Sequence, residues 1–239
     1  MNRNIFSRDP IRMIDGMYDF IGDYSDDYIV NYDEIAEGVR DWQHLRFETS
    51  IISNCCEVAV HNCFPSQESS ILDVGCGWGE IIGVIPVKNK VALDISLVRL
   101  KEVAPSVVRI RADAEDVPLV SEQFNFLILT DIFEHVKNVD KLVNEVRRLL
   151  YPRGYCARGG MLLLTTPWEQ DISIYDSPEY LNKYKRYKYS HLRTVNQRLI
   201  DDLFGEHFKL VAETEITAHK TFMELKPYSI KFFQFERIT

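Results

Sequence analysis

Three glycines at alternate positions follow a short apolar run that contains an acidic residue. The segment Ile71 to Glu80 reads ILDVGCGWGE. Its acid is Asp73, its glycines are Gly75, Gly77 and Gly79, and Cys76 lies between the first two glycines. Because glycine has no Cβ, such a backbone can turn sharply and let a ligand touch its amides. A plain tight turn would rarely need three glycines at this spacing behind an aspartate. The segment therefore predicts a ligand-binding loop.

The acid before this loop indicates which ligand the loop prefers. The dinucleotide fingerprint is G-x-G-x-x-G, and its glycines serve a pyrophosphate at a helix N-terminus. Here the third glycine comes one residue early, and Asp73 precedes the first glycine. A carboxylate beside the ligand suits a cationic amine or a sulfonium better than a phosphate. A nicotinamide-dependent oxidoreductase is therefore disfavoured.

Two further acids follow apolar runs downstream of the loop. Asp94 ends VALD, nineteen residues beyond Gly75, close to the offset of roughly 20 residues at which an acid reaches ribose hydroxyls. A carboxylate can accept from both hydroxyls, although a solvated strand-end aspartate is the alternative. Asp113 lies in RADAEDVPL, after the next apolar run. Alone the D-A-E sequence is weak, but its order behind the other two motifs strengthens it.

These residues are predicted to stand at the ends of parallel strands. From about Ser70 onward, short β-rich runs alternate with longer helical stretches, which predicts a parallel sheet covered by helices. A helix is predicted over Val139 to Leu150, because its apolar residues recur at helical spacing. The predicted strands are Ile71 to Val74, Val91 to Leu93, Val107 to Arg111, Phe126 to Thr130 and Met161 to Thr165.

The remaining sequence adds elements on both sides of this pattern. A helix is predicted near Thr194 to Phe204, with Thr194 as its cap, and strand-like runs follow near Phe208 to Ile216 and Ser229 to Phe235. The sheet is thus predicted to have seven strands. Residues 1–65 look helical but irregular and are predicted to form an extension or lid. Residues 66–239 are predicted to be one domain with a substrate lid at about 168–193.

The order of the motifs resembles the class I S-adenosylmethionine (SAM) dependent methyltransferases, in the small-molecule branch that includes the ubiquinone-biosynthesis enzymes. The resemblance covers about Ser70 to Pro167 and includes DIFEHV after the fourth strand. Residues Tyr155 to Arg158 depart from it as an insertion in a Pro/Gly turn. The family has a Rossmann-like α/β fold, with a mostly parallel sheet and helices on both faces. The resemblance implies a cofactor site that extends to Thr130.

The same resemblance implies SAM as the cofactor. In the family, the glycine loop holds the methionine part of SAM. The acid after the second strand, here Asp94 followed by Ile95, binds the ribose. Asp113 would accept from the adenine amine, while a backbone amide near Ala114 or Glu115 donates to the ring.

Two histidines are candidates for the chemistry of the acceptor. Methyl transfer from a sulfonium is an in-line displacement, so much of the acceleration comes from holding the nucleophile near the methyl carbon. A base is needed only if the acceptor must lose a proton. His135 follows the fourth strand, and His191 precedes the helix after the fifth strand. The alternatives are that His135 packs beneath its loop and that His191 is a surface or lid residue.

A cationic and aromatic stretch, YLNKYKRYKYSHLR, runs from Tyr180 to Arg193. One interpretation is a substrate lid for an anionic or aromatic small-molecule acceptor. The other is a solvated helix face, which is what most charge runs form.

Several kinds of methyltransferase lack their motifs here. Thr130 to Phe133 replaces the N/D-P-P-Y/F-like run of enzymes that methylate exocyclic amines. Thr165 to Pro167 stands where catechol-type enzymes hold magnesium with an Asp-Asn pair, so metal-independent chemistry is predicted. No Pro-Cys nucleophile for RNA carbon methylation is present. The competing interpretation is a non-catalytic SAM-binding or partner-binding module.

Composition indicates an ordinary globular protein. Hydrophobic residues make up 46% and charged residues 27% of the 239 positions, which disfavours disorder. A net charge of -8 disfavours nucleic-acid binding. No apolar run reaches roughly 20 residues and no signal-peptide pattern is present, so a cytoplasmic location is expected. The five cysteines show no metal-ligand spacing, so reduced thiols and no zinc site are expected. Homo-oligomerisation is left open.

Overall fold

One sheet of nine strands forms the centre of the protein. The computed structural model describes residues 5–23, 26–38, 45–63, 68–154, 159–178, 181, 191–217 and 229–239. Within them the strands are β1 (Arg12–Ile14), β2 (Met17–Asp19), β3 (Ser70–Val74), β4 (Asn89–Asp94), β5 (Val108–Arg111), β6 (Phe126–Thr130), β7 (Met161–Trp168), β8 (Phe208–Thr217) and β9 (Ser229–Arg237).

Six α-helices accompany these strands in the described parts of the chain. They are α1 (Asp27–Gly38), α2 (Leu45–Cys63), α3 (Glu80–Val84), α4 (Leu97–Leu100), α5 (Val139–Leu149) and α6 (Gln197–Phe204), with a 3-10 helix at Ile172–Asp176. Among the described helices, none combines the length and the apolar character that crossing a bilayer would require.

The strand order is β1-β2-β5-β4-β3-β6-β7-β9-β8. Strands β2, β5, β4, β3, β6 and β7 run parallel, whereas β1, β9 and β8 pair antiparallel to their neighbours. The predicted mixed, mostly parallel α/β sheet is therefore confirmed. Because parallel strands end at one edge, the segments that follow β3, β4, β5, β6 and β7 meet at that edge, where open α/β sheets bind their ligands.

The predicted count of seven strands is wrong, because residues before β3 add a hairpin to the sheet. Strands β1 and β2 are joined by Asp15 and Gly16, whose φ angles of 49° and 75° are both left-handed. Asp-Gly between two apolar runs is a strong hairpin signal, because this turn type needs left-handed backbone at both positions. Tyr18 of β2 then pairs with Ile110 of β5. Residues 1–65 are thus not helical throughout.

Apolar side chains on the two faces of the sheet form two cores. On one face, Leu127 and its neighbours pack with α5 and α6 through Val146 and Phe204. On the other, Ile128 and its neighbours pack with α2 and α3 through Cys56 and Ile82. Successive residues of a strand point to opposite faces, so strands buried on both sides read as continuous apolar runs.

The predicted cap of α6 is wrong by two residues. The helix begins at Gln197, and the side chain of Asn196 accepts a hydrogen bond from the amide of Leu199. Thr194 instead donates its hydroxyl to the carbonyl of Gln170 at 2.9 Å. Asparagine ranks above threonine as an N-cap, so the local sequence favours the observed start. The other predicted elements are found with ends shifted by up to three residues.

A buried arginine ties the N-terminal hairpin to the parallel sheet. Arg111, at the end of β5, is 0% exposed. Its guanidinium donates to the carbonyls of Gly22 and Ile95 at 3.1 and 3.2 Å. It also lies 3.6 Å from the carboxylate of Asp19. A buried charge needs such partners, because removing it from water is otherwise too costly.

We expect Arg111→Met to lower the free energy of unfolding by about 3–5 kcal/mol, because it leaves buried partners of the guanidinium uncompensated. Arg109→Met is the matched control. Arg109 lies two residues earlier on β5 and donates to the carbonyl of Asp15 at 2.8 Å near the surface, so its loss should cost about 1 kcal/mol. Urea unfolding measures both. Equal losses would show that the Arg111 contacts do not anchor the hairpin.

Candidate active site

The glycine loop lies between β3 and α3 and bends back over the end of β4. Gly75, Gly77 and Gly79 have φ angles of 71°, 53° and 75°. All three lie in the left-handed region that other residues avoid, which explains the predicted need for glycine. The amides of Gly75 and Cys76 donate to the carbonyl of Leu93 at 2.8 and 3.0 Å. The loop is therefore fixed to the neighbouring strand by its backbone.

The three glycines differ in what surrounds their α-carbons. A Cβ added at Gly75 would lie 2.5 Å from Cδ1 of Ile132, and one at Gly79 would lie 3.0 Å from Cγ2 of Val103. A Cβ at Gly77 would meet no atom within 4 Å. Gly75 and Gly79 thus allow close packing within the protein, whereas Gly77 borders open space that a ligand can approach.

Asp94 connects the glycine loop to the start of α4. Its Oδ2 accepts from the amide of Gly77 at 2.9 Å, and its Oδ1 accepts from the amide of Ser96 at 2.8 Å. The residue is 3% exposed. Each carboxylate oxygen has a second lone pair, so Asp94 can also accept from ribose hydroxyls. The predicted partner Ile95, in contrast, turns its carbonyl toward Arg111.

Asp73 is a buried acid whose charge has no counterpart close by. It is 1% exposed, and its two carboxylate oxygens have no hydrogen-bond partner among the described residues. Burial, together with the nearby charge of Asp94, raises its pKa to about 7. Two interacting acids beside the loop create a negative potential. These residues therefore fit a cationic ligand group, as a sulfonium or ammonium would supply.

The segment after β5 forms a polar turn where adenine recognition was predicted. Oδ1 of Asp113 accepts from the amide of Glu115 at 2.9 Å. The carboxylate of Glu115 accepts from the amide of Asn138 at 2.8 Å, which fixes this turn to the start of α5. Ala114 is buried between them. The amide of Glu115 thus serves Asp113, and contacts of these residues with adenine stay a prediction.

A strained turn follows Thr130 at the end of β6. Asp131 has a left-handed φ of 49°. Its amide donates to the carbonyl of Thr165 at 3.2 Å, and its Oδ1 accepts from the hydroxyl of Thr165 at 3.1 Å. Aspartate tolerates this backbone better than most residues, and such conformations cluster at functional sites.

Glu134, His135 and His191 form a polar cluster beyond this turn. Oε1 of Glu134 lies 3.8 Å from Nε2 of His135 and 3.9 Å from Nε2 of His191. The two imidazole rings meet edge to face with centroids 4.9 Å apart. The structure thus brings together the two predicted catalytic histidines. It adds Glu134, which the sequence showed only as part of the EHV segment.

Burial shifts the protonation of this cluster. Glu134 is 1% exposed, and burial and the charge of Asp131 raise its pKa well above its usual range. Burial and the neighbouring His135 lower the pKa of His191 well below its usual value. Nδ1 of His191 lies 2.5 Å from Oε1 of Gln170. An amide oxygen can only accept, so this short contact favours the tautomer with the proton on Nδ1 and the lone pair of Nε2 directed at the cluster.

Helix α1 lies against the same cluster, a contact that the sequence did not reveal. The hydroxyl of Tyr28 donates to the carbonyl of His135 at 3.1 Å. The ring of Tyr32 meets the ring of His135 edge on, with centroids 6.0 Å apart. Asp33 accepts from the hydroxyl of Ser96 at 2.5 Å. The N-terminal segment therefore contacts both the cofactor-side and the histidine-side residues. A role as a lid stays a prediction.

Arg193, predicted as part of a cationic surface patch, has a different role. Its guanidinium donates to the carbonyls of Phe133 at 2.6 Å and Lys137 at 3.2 Å, and also to that of Val136. It thus holds the turn that carries Glu134 and His135. Of the rest of the stretch from Tyr180, only residues 181, 191 and 192 are described, so the patch itself lies outside the described residues.

The described cysteines are free thiols, as expected. They are Cys55, Cys56, Cys63 and Cys76, and Cys156 lies outside the described residues. Burial raises the pKa of Cys56 and Cys76, which keeps both in the unreactive thiol form. Neither is suited to act as a nucleophile.

Comparison with known proteins agrees with this arrangement. Residues 72–157 match the family described as "Methyltransferase domain". The match covers 86 of the 239 residues and shows that this part of the chain is similar to methyltransferase domains. The chain's resemblance to the ubiquinone-biosynthesis branch stays a prediction, because none of the matches distinguishes that branch.

Two uncharacterized proteins of Methanocaldococcus jannaschii are similar in sequence. MJ0638 is 34% identical over 84 residues, which are 35% of this chain and 37% of that protein. MJ1123 is 28% identical over 153 residues, which are 64% of each chain. The chain thus matches less than two thirds of the length of either relative.

Solved structures share the fold at low sequence identity. A SAM-dependent methyltransferase of Thermotoga maritima, described as a "possible histamine N-methyltransferase", has a TM-score of 0.57 and 18% identity, covering 87% of this chain and 99% of its own. The [4+2]-cyclase SpnF has a TM-score of 0.58 and 12% identity, covering 78% of this chain and 81% of its own. These similarities show the methyltransferase fold, which also occurs in a cyclase.

Alanine substitutions in the glycine loop should separate packing from ligand access. We expect Gly77→Ala to lower stability by only about 1–2 kcal/mol, the cost of a left-handed alanine, while weakening SAM binding at least tenfold. Gly75→Ala adds a 2.5 Å contact with Ile132, so it should destabilise more and shift the turn that carries Glu134. Thermal unfolding and calorimetric titration measure the two effects. Equal destabilisation by both variants would contradict this assignment.

The raised pKa of Asp73 predicts a specific pH dependence of stability. An acid whose pKa rises from 3.8 to about 7 on folding favours the folded state in its protonated form, so its contribution is lost as the pH rises from about 4 to about 7. Asp73→Asn removes this titration. Relative to wild type, the variant should gain roughly 3 kcal/mol between pH 4.5 and pH 8 in urea unfolding.

The control for this test is Asp202→Asn, because Asp202 is an exposed residue of α6. Its stability should follow the wild-type pH curve. Parallel curves for Asp73→Asn and wild type would show that Asp73 titrates normally.

Proposed function

We propose that this protein transfers the methyl group of SAM to an oxygen or nitrogen atom of a small-molecule acceptor. The main support is the glycine loop, in which Gly77 borders open space while its amide is held by Asp94. When bound, SAM supplies a methyl group on a positively charged sulfur. The buried, unpartnered carboxylate of Asp73 favours such a charge beside the loop.

The residues that would hold SAM lie at or just beyond the ends of four neighbouring strands, β5, β4, β3 and β6. The loop from Asp73 to Gly79 would hold the methionine part, and Asp94 with Ile95 would bind the ribose. Asp113 and the backbone near Ala114 and Glu115 would contact the adenine, and Thr130 would complete the site. Their placement at one edge of the parallel sheet supports this assignment.

The protein's own contribution to the reaction would be positioning and removal of a proton. Glu134 and His135 follow β6, and His191 precedes α6, so that the three side chains form one polar cluster. Tyr28 and Tyr32 both contact His135, Tyr28 through its hydroxyl and Tyr32 through its ring. A small acceptor held here would have its nucleophilic atom enclosed and its proton next to polar side chains. The lone pair on Nε2 of His191 can accept that proton.

Aromatic side chains near the cluster favour an aromatic acceptor. Tyr175 packs against His191 with ring centroids 4.9 Å apart, and the rings of Tyr28 and Tyr32 meet edge on with centroids 5.0 Å apart. Flat ligands stack on such rings, and the tyrosine hydroxyls add polar contacts. The predicted preference for an anionic acceptor rests on residues 182–190, which lie outside the described residues.

A non-catalytic SAM-binding module is the second candidate function. The fold alone does not imply methyl transfer, since it also occurs in a protein described as a [4+2]-cyclase. Turnover separates the two candidates. Release of S-adenosylhomocysteine with any acceptor from a panel of phenols and amines requires methyl transfer, whereas a binding module yields none.

Calorimetric titration with SAM and with S-adenosylhomocysteine tests the cofactor assignment. We expect micromolar affinity for wild type and at least tenfold weaker binding for Asp94→Ala, which removes acceptors for ribose hydroxyls and for the Gly77 amide. Asp94→Asn keeps one acceptor oxygen and should fall between them. Asp202→Asn, far along the chain on α6, should bind like wild type. If wild type binds neither ligand, the proposed function is wrong.

A further inference from the structure

We propose that Glu134, His135 and His191 bind a divalent transition-metal ion, and that this ion binds the hydroxyl oxygen of the acceptor. The inference deepens the proposed methyl transfer and rests on it for the role of the ion, although not for the ion's binding. It replaces the expectation of metal-independent chemistry, which considered only an Asp-Asn pair after β7.

The three ligand atoms already surround a common point. Nε2 of His135 and Nε2 of His191 lie 3.8 and 3.9 Å from Oε1 of Glu134. All of the cluster's ligand atoms lie within 4.8 Å of one another. An ion held at about 2.0–2.2 Å by nitrogen and oxygen ligands in tetrahedral geometry needs ligand separations of about 3.4 Å. The two glutamate–histidine separations exceed this by 0.4–0.5 Å and no pair exceeds it by more than 1.4 Å, so side-chain movements on the order of 1 Å would close the site.

Glu134 gives an independent reason to expect a cation. Its Oε1 is buried and has no hydrogen-bond partner among the described residues, although it points between the two imidazoles. An unpaired buried carboxylate is unfavourable, and a coordinated cation would compensate it. The other oxygen, Oε2, accepts from the hydroxyl of Thr166 at 3.3 Å. This leaves Oε1 as the oxygen directed at the cluster.

The surroundings of the two histidines match those of metal ligands. Ligating histidines commonly donate their second ring nitrogen to an oxygen acceptor, which fixes the tautomer and the ring orientation. His191 does so through Nδ1 and Gln170. The backbone of His135 is fixed by Tyr28, and the amide of Leu192 donates to the carbonyl of Glu134 at 2.8 Å. The cluster is thus positioned before any ligand binds.

The donor set indicates the class of metal and of acceptor. Two imidazoles and one carboxylate suit Zn²⁺, Mn²⁺, Fe²⁺ or Co²⁺ better than Mg²⁺ or Ca²⁺, which prefer all-oxygen sites. Three protein ligands leave at least one position open, as in catalytic sites. Binding there lowers the pKa of a hydroxyl group. An acceptor with a hydroxyl group, such as a phenol, fits this position better than an amine.

The reaction balances without a further reagent. The acceptor's oxygen–hydrogen bond breaks and its proton passes to water, because with the ion bound the Nε2 lone pair of His191 is a metal ligand and no longer a base. The oxygen–carbon bond forms as the carbon–sulfur bond of the sulfonium breaks, and S-adenosylhomocysteine leaves. The role of the ion would be to hold the oxygen in its deprotonated, more nucleophilic form.

Titration of the chelator-treated protein with Zn²⁺ and Co²⁺ tests the site. We expect one equivalent to bind with micromolar or tighter affinity, and Glu134→Gln, His135→Gln and His191→Gln each to weaken binding at least thirtyfold. His61→Gln, on an exposed position of α2, is the matched control and should bind like wild type. Visible absorption of the Co²⁺ protein should show nitrogen and oxygen ligation, and thermal unfolding checks that each variant folds.

The outcomes distinguish the two proposals. Metal binding that the three substitutions weaken, with no binding of SAM, would support the metal site and overturn the proposed methyl transfer. SAM binding without metal binding, or metal binding that none of the three substitutions changes, would overturn the metal site and leave the methyl transfer intact. A preference for phenols over amines that disappears in the folded His191→Gln variant would support the role of the ion.

Discussion

The carboxylate of Asp94 is the interaction on which the site depends. It joins the amide of Gly77 in the glycine loop to the amide of Ser96 at the start of α4. Ser96 in turn donates to Asp33 of α1. One buried acid thus sets the relative positions of the loop, a helix start and the N-terminal helix. Because a carboxylate accepts along several directions at once, no neutral side chain of the same size could replace all of these bonds.

The other half of the site is organised around a turn rather than a strand. The left-handed Asp131 redirects the chain after β6, and Arg193 holds the following carbonyls. Glu134 and His135 therefore lie on a short segment held by several hydrogen bonds, while His191 comes from the segment between β7 and α6. Ile132 of this turn lies so close to Gly75 that no Cβ would fit between them, which brings the turn next to the glycine loop. The two halves consequently pack as one unit, so a substitution in one half shifts residues of the other.

Features that depend on local sequence could be predicted, and features that depend on distant contacts could not. The apolar runs of the central strands and the backbone demands of Gly75, Gly77 and Gly79 are local, and the structure has them where they were expected. The hairpin at Asp15 and Gly16 also had a local signal, because Asp-Gly between two apolar runs favours a two-residue turn. The packing of Tyr28 on His135 spans over a hundred residues and leaves no periodic trace in the sequence. The same is true of the partners of Arg193.

The pairing of β2 with β5 also governs how the chain can fold during synthesis. Tyr18 and Ile110 are paired although ninety-two residues separate them. At about 5–20 residues per second, a ribosome that has made β2 needs roughly five to twenty more seconds to make its partner β5. Until then the hairpin has no neighbour on its β2 side, and Arg111 has not yet reached Asp19. The pairing of β2 with β5 is thus a late event. It carries the entropic cost of closing a long loop, which is typical of slowly folding parallel sheets.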